Sequence, residues 1–115
     1  MNKQELKEAY KQRKARMGVF QVKNTANDKI FIGSSLDLDA IWNRIRTELK
    51  FGGHRNELLQ QDWNKYGEES FVYEVLGELK EATEDNHDYK REAKQLEEMF
   101  IEEAQPFGEK GYNKQ

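Results

Sequence analysis

The chain contains no cysteine and no long apolar run. The absence of cysteine excludes disulfides and thiolate metal sites. No stretch approaches the roughly 18 apolar residues of a transmembrane helix, and the N-terminus lacks the apolar segment of a signal peptide. We therefore expect a cytoplasmic protein with no membrane partner. Histidine is also scarce, since only His54 and His87 are present, and these two lie too far apart in sequence to suggest a metal pair.

Charge and aromatic bulk are what the chain has in quantity. Charged and apolar residues each make up 36% of the 115 residues. Five Tyr, six Phe and two Trp supply enough bulk for one packed core, which argues against disorder and indicates a single domain. The net charge of −3 is uneven, because residues 1–56 carry +6 and residues 57–115 carry −9. A basic half favours contact with phosphates, although proteins that never touch nucleic acid often share this polarity.

The segment 18–35 has the pattern of a β-hairpin. Its apolar runs 19–22 and 30–32 flank a polar loop in which Asn27 and Asp28 tolerate the left-handed conformation. Gly18 and Gly33 lie beside the two runs, and this placement predicts a close approach of the backbone to a neighbouring group, or a sharp bend.

The remaining elements follow from helical and strand periodicity. We predict a partly exposed helix over 2–15 and a second helix that runs from a cap at residue 34, 35 or 37 to residue 51. A third helix is expected over 56–66, with Gly67 as its stop, and a strand over 71–76. A polar loop over 80–88 then leads to a last helix over 89–104. On the last helix, we expect an inner stripe made of Tyr89, Ala93, Leu96, Phe100 and Ala104. This order predicts an α+β domain over 17–113, preceded by an N-terminal helical extension over 1–16.

Five sequence blocks in order resemble the GIY-YIG nuclease family. Gly18-Val19-Phe20 and Phe31-Ile32-Gly33 resemble its two signature strands, and the two serines that follow also match. Downstream, the match continues through three further blocks: WNKYGEESF at 63–71, the LE-x-x-x-I stretch at 96–101, and GYN at 111–113. The resemblance covers roughly 17–113 and is that of a stand-alone bacterial or phage-type domain.

This resemblance implies a three-stranded antiparallel sheet flanked by helices, and a Mg²⁺-dependent endonuclease site that acts on nucleic acid, expected to be DNA. In the family, signature-strand tyrosines position or deprotonate the nucleophile, and an arginine on the next helix stabilises charge on the phosphate. A glutamate on the last long helix, which matches Glu97, holds the metal ion. Phosphodiester cleavage needs each of these functions.

Three of the matching positions have lost the chemistry that the family uses. The tyrosine positions hold Phe20 and Phe31, which have no hydroxyl to exchange a proton or to bind water. The arginine position holds Ile41, and a histidine position one turn later holds Ile45, so neither offers a donor to a phosphate. The resemblance therefore implies a domain that is impaired or inactive in cleavage by the usual route.

Residues at other positions are candidates for the lost arginine and tyrosine roles. Arg44 lies about one turn beyond Ile41 and can supply a guanidinium, with a surface arginine as the simpler interpretation. A phenol can come from one of three tyrosines that are otherwise ordinary core residues: Tyr66, Tyr73 and Tyr112.

Other positions keep polar or conformationally permissive residues. Glu97 is the one candidate metal ligand and catalytic carboxylate, although the acidic run around it is also typical of a solvated helix surface. His54 either touches a phosphate or supports the turn after Gly53. The residues that we predict to contact nucleic acid are Gly33, Ser34, Ser35, Arg44, Arg46, His54, Arg55 and Asn113.

Three functions fit these observations. The first is an endonuclease with a shifted site that uses Glu97, Arg44 and a non-signature tyrosine. The second is a cleavage-deficient relative that still binds nucleic acid through its basic first half, and the third is a silent scaffold that serves protein interactions. The pattern predicts no particular oligomeric state.

Overall fold

The computed structural model describes residues 15–81 and 87–115. The helix predicted over 2–15 and the middle of the loop predicted over 80–88 lie outside the described residues, so the extension over 1–16 stays a prediction. Among the described residues, no helix combines the length and apolar character needed to cross a membrane.

A three-stranded antiparallel sheet forms the centre of the domain, as predicted. Its strands are β1 (Gly18–Asn24), β2 (Ile30–Ser35) and β3 (Phe71–Glu78), in the order β2-β1-β3. Within the described residues, the helices are α1 (Leu38–Lys50), α2 (Glu57–Tyr66) and α3 (Tyr89–Ala104), with short 3₁₀ turns at Glu68–Ser70 and Gly108–Lys110. The α+β class predicted from the sequence is therefore confirmed.

Local hydrogen bonds explain where the helices begin and end. The Asp37 carboxylate caps α1 by accepting from the Ala40 amide at 3.1 Å, and Asn56 caps α2 through the Leu59 amide at 3.1 Å. Gly67, with φ of 88°, follows the last residue of α2. In the hairpin loop, Asp28 adopts the expected left-handed conformation with φ of 64°.

The two faces of the sheet bury different partners. The main core joins the face of β1 that carries Phe20 and Val22 to α1, α2 and the C-terminal tail; its buried members are Phe20, Val22, Leu38, Ile45, Leu49, Leu59, Trp63, Phe71 and Tyr112. Helix α3 packs on β1 and β2. The predicted inner stripe of α3 is wrong at Ala104, which is exposed, whereas Ala93 is buried and Leu96 and Phe100 are half-buried beside Gly77.

Both glycines of the hairpin lie close to neighbouring atoms, as predicted. A side chain at Gly18, whose φ is 156°, would collide with the carbonyl oxygen of Gly77. A Cβ at Gly33 would lie 2.7 Å from Cζ of Phe20, its partner across the β1–β2 ladder. The glycine of the second signature strand therefore makes room for the aromatic ring of the first.

The C-terminal tail covers the outer edge of β2. The Tyr112 amide donates to the Ile30 carbonyl oxygen at 2.9 Å. The side-chain amide of Asn113 both accepts from the Ile32 amide and donates to the Ile32 carbonyl oxygen, each at 2.9 Å. The tail thereby satisfies backbone groups that an edge strand leaves unpaired.

Candidate functional site

Of the replaced signature positions, Phe20 belongs to the main core, and Phe31 and Ile41 are half-buried against it. Phe20 is only 3% exposed, and its ring centroid lies 6.4 Å from that of Phe31 and 5.5 Å from that of Tyr73. Ile41 is half-buried against the same core, and Ile45 is buried. We call Phe20, Phe31 and Ile41 the signature cluster. It presents hydrocarbon at the positions where the family resemblance implies a pair of hydroxyls and a guanidinium.

The hydroxyls of two candidate tyrosines are already engaged. Tyr73 donates to the Leu38 carbonyl oxygen at 2.6 Å, and burial raises the pKa of its phenol to about 12. Tyr112 is 1% exposed and donates to the Asp62 carboxylate at 2.7 Å, while burial raises the pKa of this phenol as well. Tyr66 is exposed at the end of α2. The phenols of Tyr73 and Tyr112 therefore remain protonated at neutral pH, and each has a fixed acceptor.

The two candidate arginines of α1 differ in exposure, since Arg44 lies on the outer surface and Arg46 is half-buried. The side chain of Arg44 is 75% exposed and donates from Nε to the Glu48 carboxylate at 3.0 Å. The guanidinium of Arg46 lies 5.5 Å from the Trp42 ring centroid and within 3.8 Å of the Glu68 carboxylate. The use of either arginine for phosphate binding stays a prediction.

His54 supports the turn between α1 and α2. Its Nδ1 accepts from the Asn56 amide at 3.1 Å, and its ring contacts that of Phe31 edge-on at 6.0 Å between centroids. Burial lowers its pKa below the ordinary value of 6.5. The imidazole is therefore neutral at pH 7, with its proton on Nε2. This geometry matches the turn-supporting alternative for His54.

Glu97 lies in a defined buried position on α3. Its side chain is only 9% exposed, and its Oε2 lies 2.6 Å from the Lys94 ammonium. The other carboxylate oxygen, Oε1, accepts from the Ser34 hydroxyl at 3.2 Å. Ser34 follows Gly33 on β2 and so faces the side of the sheet opposite to Phe20. The structure thus brings Glu97 and Ser34 together, and places them across the sheet from the signature cluster.

A groove of about 1010 Å³ opens beside Glu97. The end of β2, the loop between α1 and α2, and the first half of α3 form its walls. Four basic side chains and three carboxylates line it: Arg55, Lys90, Arg91 and Lys94, with Asp88, Glu97 and Glu98. Of the residues predicted to contact nucleic acid, Ser34, Ser35 and Arg55 line this groove.

Sequence reasoning missed the three basic residues of α3 in the groove: Lys90, Arg91 and Lys94. Each is common on helix surfaces, and their convergence depends on how α3 packs against β2. One signal was available, because Lys94 precedes Glu97 by three residues, a spacing that places both side chains on one helical face.

The described residues show no cluster of metal ligands around Glu97. Within 15–81 and 87–115, no group of three or more His, Cys, Asp or Glu side chains is placed to hold a metal ion. Both carboxylate oxygens of Glu97 already have partners, one cationic and one hydroxyl.

Comparison with known proteins relates the chain to an intron-associated endonuclease and to the catalytic domain of a homing endonuclease. No family model matches the chain. Intron-associated endonuclease 1 of Enterobacteria phage T4 is 38% identical over 62 residues, a match that covers 54% of this chain and a quarter (25%) of that protein. The solved catalytic domain of the homing endonuclease I-TevI is 30% identical, with a TM-score of 0.70 over 84% of this chain and 96% of that domain.

A mutant of the I-TevI catalytic domain gives a similar result, with 29% identity and a TM-score of 0.69 over 85% of this chain and 92% of that one. The similarity in sequence and in fold therefore extends over nearly the whole catalytic domain. Taken with the ordered signature blocks on β1, β2 and α3, these matches show that the chain belongs to the GIY-YIG nuclease family.

Proposed function

We propose that this GIY-YIG domain binds the phosphate backbone of nucleic acid, with DNA as the expected substrate, and that it is impaired or inactive in phosphodiester cleavage. The signature cluster is the observation that carries this proposal. Its members are packed hydrocarbon, and the Tyr73 phenol, whose ring centroid lies 5.5 Å from that of Phe20, donates a hydrogen bond to a backbone carbonyl.

The expected catalytic deficit is large. A general base and a preorganised charge stabiliser each contribute about 10²- to 10⁴-fold to such reactions. Phe20 and Phe31 cannot accept a proton, and Ile41 cannot stabilise charge on a phosphate. Phe20 is also only 3% exposed, so its own position is closed to solvent.

The groove supports the binding half of the proposal. Exposed lysines and arginines attract phosphates because binding releases the counterions that surround nucleic acid. The groove brings four such charges together. They are Arg55 and the α3 residues Lys90, Arg91 and Lys94. The groove is also the place where Glu97 and Ser34, two residues matched by the family resemblance, meet.

The expected Mg²⁺ ion does not fit the residues present. Mg²⁺ requires near-octahedral oxygen coordination through carboxylates, waters and substrate phosphates. One carboxylate is enough for such coordination, but the Oε2 of Glu97 lies 2.6 Å from the Lys94 ammonium, whose positive charge opposes a dication at this place. We therefore derive no chemical step through a metal ion.

Fluorescence anisotropy with a labelled DNA duplex tests the proposal. We expect binding at low salt that weakens steeply as salt rises. Arg91→Ala should weaken binding and reduce the slope of log affinity against log salt by about 1. Lys65→Ala is the matched control, because it removes one exposed positive charge from α2, outside the groove.

Each outcome bears on one part of the proposal. The absence of binding at the lowest salt would overturn nucleic-acid binding and favour a protein-interaction scaffold. Equal losses for Arg91→Ala and Lys65→Ala would place the contact elsewhere on the surface. Nicking of plasmid DNA by the wild-type chain would refute the loss of cleavage and favour an endonuclease with a shifted site.

A further inference from the structure

The counter-charge of Glu97 is provided by the protein itself. Lys94 and Glu97 lie three residues apart on α3, and their side chains meet at 2.6 Å. The Lys94 side chain is 64% exposed, whereas that of Glu97 is 9% exposed. The lysine therefore reaches from the groove surface down to a buried carboxylate.

A buried carboxylate in a phosphate-binding groove needs a partner. Without one, its negative charge is poorly hydrated and repels an incoming phosphate. A divalent cation is one solution to this problem, and an ammonium group is another. Here the Lys94 ammonium donates to Oε2 of Glu97, and the Ser34 hydroxyl donates to Oε1 at 3.2 Å.

The charge balance of the groove depends on this lysine. Four basic side chains face three carboxylates along its walls. If Lys94 is removed, the two signs become equal in number and the groove loses its excess of positive charge. The Glu97 carboxylate then has no cationic partner. Its negative charge offsets part of the attraction that Arg55, Lys90 and Arg91 exert on a phosphate.

We propose that Lys94 takes the place of a divalent cation at Glu97, so that phosphate binding in the groove is independent of metal ions. Lys94 acts here by neutralising the Glu97 carboxylate, which leaves Arg55, Lys90 and Arg91 to contact the phosphate. This inference rests on the proposed function, since it concerns the same groove and the same ligand.

A double-mutant cycle on duplex DNA binding separates this arrangement from a metal site. We expect equal wild-type affinity in EDTA and in millimolar Mg²⁺ at matched ionic strength. Lys94→Ala should weaken binding on the order of fivefold near 0.1 M salt, because the groove then carries an uncompensated carboxylate and one positive charge fewer. Adding Glu97→Gln to that variant should restore affinity close to wild type, because the uncompensated carboxylate is then gone.

The single Glu97→Gln variant gives the sharpest contrast. It frees the Lys94 ammonium for phosphate, so binding should tighten on the order of fivefold near 0.1 M salt. If Glu97 instead held a metal ion that bridged to phosphate, the same change would weaken binding in Mg²⁺ and leave it unchanged in EDTA. Lys94→Arg, which keeps the positive charge, should bind like wild type.

A direct metal readout completes the test. In spectra of ¹⁵N-labelled wild-type protein, we expect added Mn²⁺ to leave the amide signals of residues 94–98 unbroadened. Selective broadening of those signals, or wild-type binding that requires Mg²⁺, would overturn the inference while leaving nucleic-acid binding intact. A wild-type chain that binds no DNA in either buffer would instead refute the proposed function.

Discussion

Replacing Gly33 by alanine should damage the domain through one identifiable contact. The added Cβ would lie 2.7 Å from Cζ of Phe20, and 3.1 and 3.3 Å from its Cε1 and Cε2. The φ angle of Gly33 is not in the left-handed region, so backbone strain does not contribute. The Phe20 ring is buried between Phe31 and Tyr73 and has little room to move aside.

The cost follows from overpacking of a filled core. Such insertions typically destabilise by about 1–3 kcal/mol. For a domain of this size, this corresponds to a fall in melting temperature of roughly 4 °C for each kcal/mol. Shortening the ring in the Gly33→Ala, Phe20→Leu double variant removes Cζ, so we expect a favourable coupling of about 1 kcal/mol between the two changes.

Urea denaturation of the two single variants and the double variant measures this coupling. Gly53→Ala is the matched control, since a Cβ there would meet only the Glu48 carbonyl oxygen, at 3.9 Å. We expect this control to leave stability unchanged or slightly higher. If Gly33→Ala proved as mild as Gly53→Ala, or if Phe20→Leu gave no relief, the proposed packing of glycine against the signature ring would be wrong.

Two further stability predictions concern buried polar groups. Tyr112→Phe should destabilise by about 1–3 kcal/mol in thermal or urea unfolding, because the buried Asn24 amide loses its acceptor and Asp62 loses a donor; an unchanged free energy of unfolding would contradict this. Burial lowers the folded-state pKa of His54 below 6.5, so the unfolded chain binds the proton more readily. The contribution of His54 to the free energy of unfolding should therefore be full above pH 6.5 and decline as the pH falls below that value. His54→Gln, which retains an acceptor for the Asn56 amide, should reduce this decline, and an identical pH profile for variant and wild type would refute the assignment.

Features with short-range causes were predictable from the sequence. Asn56 and Gly67 mark the ends of α2 because a cap and a stop act within one turn. The hairpin was predictable for the same reason, since its loop contains residues that favour left-handed geometry. The family resemblance added the strand pairing, which depends on contacts distant in sequence.

The candidate site was less predictable because it depends on packing between distant segments. The acidic run around Glu97 is typical of a solvated helix. Glu97 is buried because α3 packs against β2, where Ser34, 63 residues away in sequence, donates to its carboxylate. The partnership with Lys94 is local, but a charged pair at this spacing is usually a surface feature. The exposure of Ala104 shows the same limit, since helical periodicity does not reveal how far α3 packs along the sheet.

Incubation of the wild-type chain with supercoiled plasmid at low salt, in Mg²⁺ and in Mn²⁺, tests the central claim most directly. A native agarose gel reads binding as retardation, and a deproteinised sample reads cleavage as nicked or linear DNA. We predict plasmid that is retarded by the protein and remains supercoiled after deproteinisation. Nicked plasmid that disappears with Glu97→Ala would contradict the account, because it would show that the domain cleaves DNA despite its signature cluster.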